Sequence, residues 1–321
     1  MSATDNKASA RMGADIDRDI ESATRAAEGF LRRRFYPWSG TRRFDWPGLA
    51  STAWRLRLGD HDINTVTTLT VGGTVVTGYF LEPDSGPPYS VIEFDRTASD
   101  WVSSSGITSQ RAVAVAGQWG EYNLAPAGAL AEVLDAVETG VDVTDSSAIG
   151  IGSLLTVGTE RMIVTGKAQI TTGTTTTAGL DAKASTTAVP VASGAAVNVG
   201  ERILIDAETM QVVDKAGNTL VVDRAADGSV LAAHLTAATV YAPRSLTVVR
   251  GVTGTTAAIA SLSAPVTVWV PPGLVNALTV AYAVRAAQQR SGGYTVDDEK
   301  ALAALQARAF TAHGRASMVF A

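Results

Sequence analysis

The chain has no cysteine and only three histidines. Without thiols it forms neither disulfides nor thiolate metal sites, and nothing points to an oxidising compartment. His61, His234 and His313 lie in unrelated segments, so catalytic pairing has little to draw on. Charge is also sparse. Charged residues make up 18%, the formal net charge is -5 and the pI is about 5.3, which argues against a surface that wraps nucleic acid throughout, since that needs dense Lys and Arg. No stretch of about 18 apolar residues runs uninterrupted, so no transmembrane helix is expected. Residues 1–13 are polar and small, with no apolar core for a secretion signal, and read as a flexible arm on a protein made in the cytoplasm.

The signatures of common chemistries are missing as well. There is no G-x-S-x-G elbow, no G-x-x-x-x-G-K-[ST] phosphate loop and no H-E-x-x-H helix. Asp60-His61-Asp62 offers three metal-ligand types in a row, but neighbours on a strand or turn point different ways and rarely converge on one ion. The carboxylate pairs Asp17/Asp19 and Asp297/Asp298 fall at expected helix N-termini, where dipole and cap roles explain them better than acid–base work. No catalytic residue, cofactor or metal is therefore assigned, and the chain reads as a structural subunit rather than an enzyme.

What the chain does have is apolar content, 46% over 321 residues, enough for two domains. Residues 15–34 place Ile16, Ile20, Ala23, Ala27, Phe30 and Leu31 at helical spacing, with Pro37 as the stop. Gly72-Gly73 predicts a hairpin turn between 67–71 and 74–78, and further strands are expected over 90–95 and 111–116, with a short helix near 127–135. From about 137 to 270 Thr, Val, Ala and Gly dominate, a β pattern; 171–178 reads as a hairpin tip or a mobile loop. Pro271-Pro272 opens a helix to residue 290. Thr295 and Asp298 have capping-box spacing for a last helix that buries Leu302, Leu305 and Ala309.

Two echoes run through the β segment. Gly152, Glu160, Met162 and Val164 recur about 48 residues on as Gly200, Glu208, Met210 and Val212. Leu220, Val222, Arg224 and Gly228 match Leu246, Val248, Arg250 and Gly254, and repeats of this kind are expected to stack sheets. A basic and aromatic cluster, Arg32, Arg33, Arg34, Phe35, Tyr36, Trp38, Arg42 and Arg43, follows the first helix; Arg, Trp and Tyr in this mixture suit an interface or phosphate contacts. The apolar tail residues Met318, Val319 and Phe320 are a second docking candidate.

The order of these segments resembles the head-to-tail adaptor (connector) proteins of tailed double-stranded DNA bacteriophages. The likeness lies in the helix ending I-E-S-A-T-R-A-A-E-G-F-L-R-R-R-F-Y-P over 20–37, the strand and glycine–aromatic turn R-A-V-A-V-A-G-Q-W-G-E-Y over 111–122, and the proline-opened helix over 271–285. In compact family members the last two are nearly adjacent; here β material separates them. The resemblance implies an α+β adaptor core (15–126 and 271–321), a projecting all-β insertion (127–270) and an N-terminal arm (1–14). It also implies a homo-oligomeric ring, commonly of twelve copies, in the virion neck. Expected partners are the portal protein, a downstream neck or tail protein, capsid protein, and DNA passing without sequence-specific binding. A stopper, tail terminator or minor tail protein, or an adhesive or carbohydrate-binding β protein, is the alternative.

Overall fold

The computed structural model describes residues 3–46, 54–98, 108–291, 293 and 295–314, and over these the chain is α+β, with three α-helices and seventeen strands. It divides into two compact units. One combines Met1–Asn123 with Pro271–Ala321; the other is Leu124–Val270, beginning three residues before the expected 127.

In the first unit, helix α1 spans Ala3–Leu31, so the expected arm of residues 1–14 is helical from Ala3 onward. Lys7, Ala8, Ala10, Arg11 and Met12 all favour helix, and a single Gly13 costs only about 1 kcal/mol. The helix stops before Pro37. Arg32 turns left-handed (φ 53°) and the Arg33 amide reaches back to the Glu28 carbonyl, a C-terminal cap that does not wait for the proline. Ala23, Ala27 and Leu31 are the buried stripe, whereas Ile16 and Ile20, expected in it, are each 48% exposed.

Seven strands follow: β1 (Trp38–Phe44), β2 (Arg55–Arg57), β3 (Ile63–Val71), β4 (Thr74–Val75), β5 (Tyr79–Glu82), β6 (Val91–Phe94) and β7 (Val113–Trp119). They form two antiparallel sheets, β1-β7-β3-β4 and β2-β6-β5, around one core that includes Leu69, Val71, Ile92, Phe94, Val115 and Trp119. Gly72 and Gly73 both take positive φ, as the two-residue β3–β4 turn requires. Gly120 is also left-handed, and a Cβ there would lie 2.3 Å from the Tyr36 carbonyl oxygen, so only glycine lets the end of β7 pass the segment after α1. Helices α2 (Gly273–Ser291) and α3 (Val296–His313) complete the unit. The Thr295–Asp298 capping box starts α3 as expected, and Phe30 meets Phe310 edge-on at 5.8 Å.

The second unit contains β8 (Leu124–Ala129), β9 (Gly140–Asp142), β10 (Leu154–Val157), β11 (Glu160–Thr175), β12 (Ala188–Pro190), β13 (Arg202–Ile205), β14 (Glu208–Ala216), β15 (Thr219–Asp223), β16 (Thr239–Val249) and β17 (Pro265–Trp269). No helix forms near 127–135. The small residues there enter β8 instead, and Leu130 and Leu134 are fully buried, because sheet pairing overrides their helix propensity. Residues 171–175, expected as a hairpin tip or loop, complete the long strand β11. Their neighbour Thr176 pairs with Val191, and the buried hydroxyls of Thr174 and Thr176 are bonded to backbone.

The strands make two six-stranded barrels, one nested in the other. Pairing runs β8-β17-β10-β11-β16-β9, and the Leu130–Val143 bridge brings β8 back to β9. The same pattern recurs as β12-β15-β14-β13-β16-β11, closed by the Thr176–Val191 bridge. Barrel 1 uses the first half of β11 and the second half of β16; barrel 2 uses the remaining halves. The two sequence echoes are thus parts of one duplication, closed into barrels rather than stacked as sheets. Each barrel has its own apolar core, and closure leaves few open edges.

Barrel 2 replaces a hairpin turn of barrel 1. In barrel 2, Lys215 runs through Ala216-Gly217-Asn218 to Thr219, and the Asn218 side chain accepts from the Gly194 amide at 2.9 Å. At the equivalent place in barrel 1, residues 168–244 intervene, and the Ser146 amide is capped by Glu201 of barrel 2, also at 2.9 Å. Joining Lys167 to Ser245 through Ala-Gly-Asn should therefore give a folded single-barrel protein. The expected result is a cooperative thermal transition with retained strand signal by circular dichroism; a molten product would show that barrel 1 needs barrel 2.

Candidate interface and its buried charges

The basic cluster after α1 is largely consumed inside the first unit. The side chain of Arg33 is 14% exposed: its Nε donates to Asp62 Oδ2 at 2.7 Å, its Nη1 to the His313 carbonyl at 3.3 Å, and its guanidinium lies over Phe35 at 5.0 Å. Burial lowers its pKa and Glu121 partly restores it. Arg33 thereby joins the end of α1, the start of β3 and the end of α3. Arg42 is held between Trp38 (4.8 Å) and Trp119 (5.4 Å) and donates to His61 Nε2 at 3.0 Å, which leaves the His61 ring proton on Nδ1. Arg34 pairs with Glu28 at 2.7 Å and approaches Asp60 at 3.6 Å.

Asp60, His61 and Asp62 therefore face Arg34, Arg42 and Arg33 in turn, and no group of metal-ligand type converges among the described residues. Of the proposed interface residues, Phe35 and Arg33 are structural; Arg32, Arg34, Tyr36 and Arg43 stay exposed, and Trp38 and Arg42 are half-buried. Met318, Val319 and Phe320 lie outside the described residues.

A second exposed surface lies on the helices, and it includes Ile16 and Ile20, which were expected in the buried stripe of α1. Ile16 and Ile20 of α1 and Val280 and Val284 of α2 line a groove of about 360 Å³, and a second of about 220 Å³ runs between α2 and α3 past Val284 and Leu305.

The β unit holds its charges in a repeated clasp. Glu160 accepts from Arg250 Nε (2.6 Å) and Nη2 (2.7 Å) and from the amides of Gly251 and Ala258. Glu208 does the same with Arg224 (2.7 and 2.8 Å) and the amides of Ala225 and Ala232, and adds His234 Nε2 at 2.9 Å. The arginines spend their remaining donors on carbonyls at matching places, Asp135, Glu138 and Ala258 in one barrel and Asp181, Thr186 and Ala232 in the other. Lys167 and Lys215 likewise each cap two carbonyls, in the loops that lead into β10 and β13 respectively. Such completeness is needed because a buried charge with missing partners is strongly destabilising. No protein-family model, curated protein or solved structure matches the chain.

Burial alone would raise the Glu208 carboxyl, but Arg224, the Ala232 amide, His234 and the Ala225 amide outweigh it and hold the group at about 2, against 4.5 for a free glutamate. A carboxyl depressed on folding contributes stability above its unfolded value and loses it as pH falls through the folded one. Urea denaturation should show stability falling from pH 4.5 towards about 2, with a shallower fall in Glu208→Gln. In a double-mutant cycle, Glu160→Ala and Arg250→Ala should each cost about 3–5 kcal/mol, and the double variant clearly less than their sum. Arg33→Ala should cost about 1–3 kcal/mol because buried Asp62 loses its charged donor, whereas Arg32→Glu should leave stability within about 0.5 kcal/mol.

Proposed function

We propose that the chain is a structural virion protein, a head-to-tail adaptor subunit that forms a ring in the neck of a tailed bacteriophage and joins the portal to the next neck or tail component. The observation that carries this reading is the way one unit collects the segments of the resemblance. The helix end at 20–37, the strand and turn at 111–122 and the proline-opened helix from 271 all lie in it, although the β unit separates them in sequence. The Glu121 amide donates to the Phe35 carbonyl and the Gly120 amide to the Asp62 carbonyl, both at 2.9 Å, and α1 packs on α2. The adaptor core of the reading is this unit; the double barrel is an insertion that serves contacts other than the ring.

Arg33, Arg42 and the buried Glu–Arg pairs of the β unit are engaged in holding the fold, which suits a part that acts by assembly. In the ring reading, DNA passes through the channel without base-specific contacts. Arg32 and Arg43, exposed as Tyr36 is, are the residues proposed to meet a neighbouring subunit, the portal or DNA.

Negative-stain imaging of the purified protein mixed with its cognate portal should show a ring coaxial with the portal, and Arg32→Glu/Arg43→Glu should reduce that docking while leaving the melting temperature unchanged. A portal that never acquires density in the presence of folded wild-type protein would contradict the reading.

A further inference from the structure

We propose that His234 is a proton-operated latch in barrel 2, fastening the β13–β14 turn to the Glu208 clasp while its imidazole is doubly protonated and releasing that turn when the imidazole becomes neutral. The latch lies within the β unit and does not depend on the neck reading.

The two barrels keep the same clasp but differ at two places beside it. The main chain of His234 exchanges hydrogen bonds with Leu180 at 2.9 and 2.8 Å, as Ala260 does with Leu134 at 2.9 and 3.0 Å, so His234 stands where barrel 1 has alanine. Asp206 stands where barrel 1 has Gly158. Each is two residues before the clasp glutamate in a tight hairpin, with φ of 52° and 58°. Aspartate fits this left-handed turn less easily than glycine, yet here its Oδ2 lies 2.7 Å from His234 Nδ1. On the other side of the imidazole, Nε2 meets Glu208 Oε2 at 2.9 Å. Barrel 1, with glycine and alanine at the two places, has no counterpart.

A carboxylate only accepts, so each contact needs an N–H on the imidazole, and a neutral imidazole has one. His234 therefore makes both contacts only as the imidazolium. Its side chain is fully buried, so a charge there needs these two carboxylates. The remaining charge close by, Arg224, is spent on Glu208 and three carbonyls. Asp181, next to Leu180, is paired with Lys183, and Asp227 with Arg202. Glu208, held at about 2, keeps its charge throughout the range in which histidines titrate. The proton that leaves is the one on Nδ1: Asp206 is 62% exposed and can take water as its new partner, whereas Glu208 is fully buried and cannot. The bare Nδ1 then faces a carboxylate oxygen, and the turn moves away. A proton held by the folded barrel stabilises it on the acid side, and that contribution is lost as pH rises.

Two measurements on the full chain test the latch, with His234→Ala/Asp206→Gly, the residue pair of barrel 1, as the variant. Nitrogen-15 NMR at about pH 6 should show an imidazole protonated at both nitrogens whose signals are missing from the variant. In hydrogen exchange followed by mass spectrometry and corrected for the intrinsic pH dependence of amide exchange, protection over 203–210 should fall by about tenfold or more from about pH 6 to pH 9, relative to 155–162 of barrel 1 in the same molecules. The fall should vanish in the variant. Asp206→Asn serves if the double variant does not fold, because its amide can donate to a bare Nδ1 and should likewise remove the fall. A His234 imidazole with one bare nitrogen at about pH 6 overturns the proposal. So does protection that falls equally in the two barrels, or a fall that persists in the variants.

Discussion

The architecture depends on the antiparallel pairing of a barrel's first strand with its last. In barrel 1, Leu124 lies opposite Trp269; in barrel 2, Ile170 lies opposite Ala242. A module whose two ends are hydrogen-bonded neighbours can be placed within a connection of another domain, because the host chain is interrupted at a single point in space. The protein uses this twice. Barrel 1 interrupts the helical unit between Asn123 and Pro271, and barrel 2 interrupts the hairpin of barrel 1 between Lys167 and Ser245. The host in the second case keeps its register, since β11 and β16 continue through both barrels with β-bulges where one gives way to the other.

Barrels this small have apolar interiors of about a dozen buried residues, and their ends must be closed by something other than a large core. The Glu–Arg clasps do this. Each gathers a strand start, a strand end and two loops around one fully bonded carboxylate, so the loops gain fixed positions without apolar volume. Between the barrels, Glu201 and Arg244 play the joining part: Glu201 accepts from Ser146 in barrel 1 as well as from Arg244, and burial, which would raise its carboxyl, is outweighed by those donors. Buried ion pairs of this kind contribute specificity more than net stability, and the duplication has kept the same pair twice.

Much of this was readable in the chain. The Glu160/Glu208 and Arg224/Arg250 echoes marked the clasps, although not that each Glu meets an Arg from the other echo, because that pairing is set by strand order rather than spacing. The capping box at Thr295 and the Gly72-Gly73 turn are local signals and appear where local chemistry puts them. Three readings failed for tertiary reasons. Residues 127–135 have helical propensity but pair with β17 and the segment before it; the Thr-rich stretch at 171–175 looked like a loop but completes a strand; and Arg33 looked like a surface anchor because nothing in sequence says that Asp62 will sit beside it. The helix stripe of α1 was read as wholly buried, whereas Ile16 and Ile20 are each 48% exposed.

The chain divides into two units with separate cores. The unit built from both ends of the chain holds three helices and the aromatic–arginine joint at the end of α1, and the nested barrels form the other unit with cores of their own. The proposed neck location is tested most directly by where the protein resides. Gold-labelled antibodies against the barrel unit, applied to purified virions of the source phage, should decorate the junction of head and tail and no other place. Label along the tail or over the head shell, or particles that contain none of the protein, would contradict it.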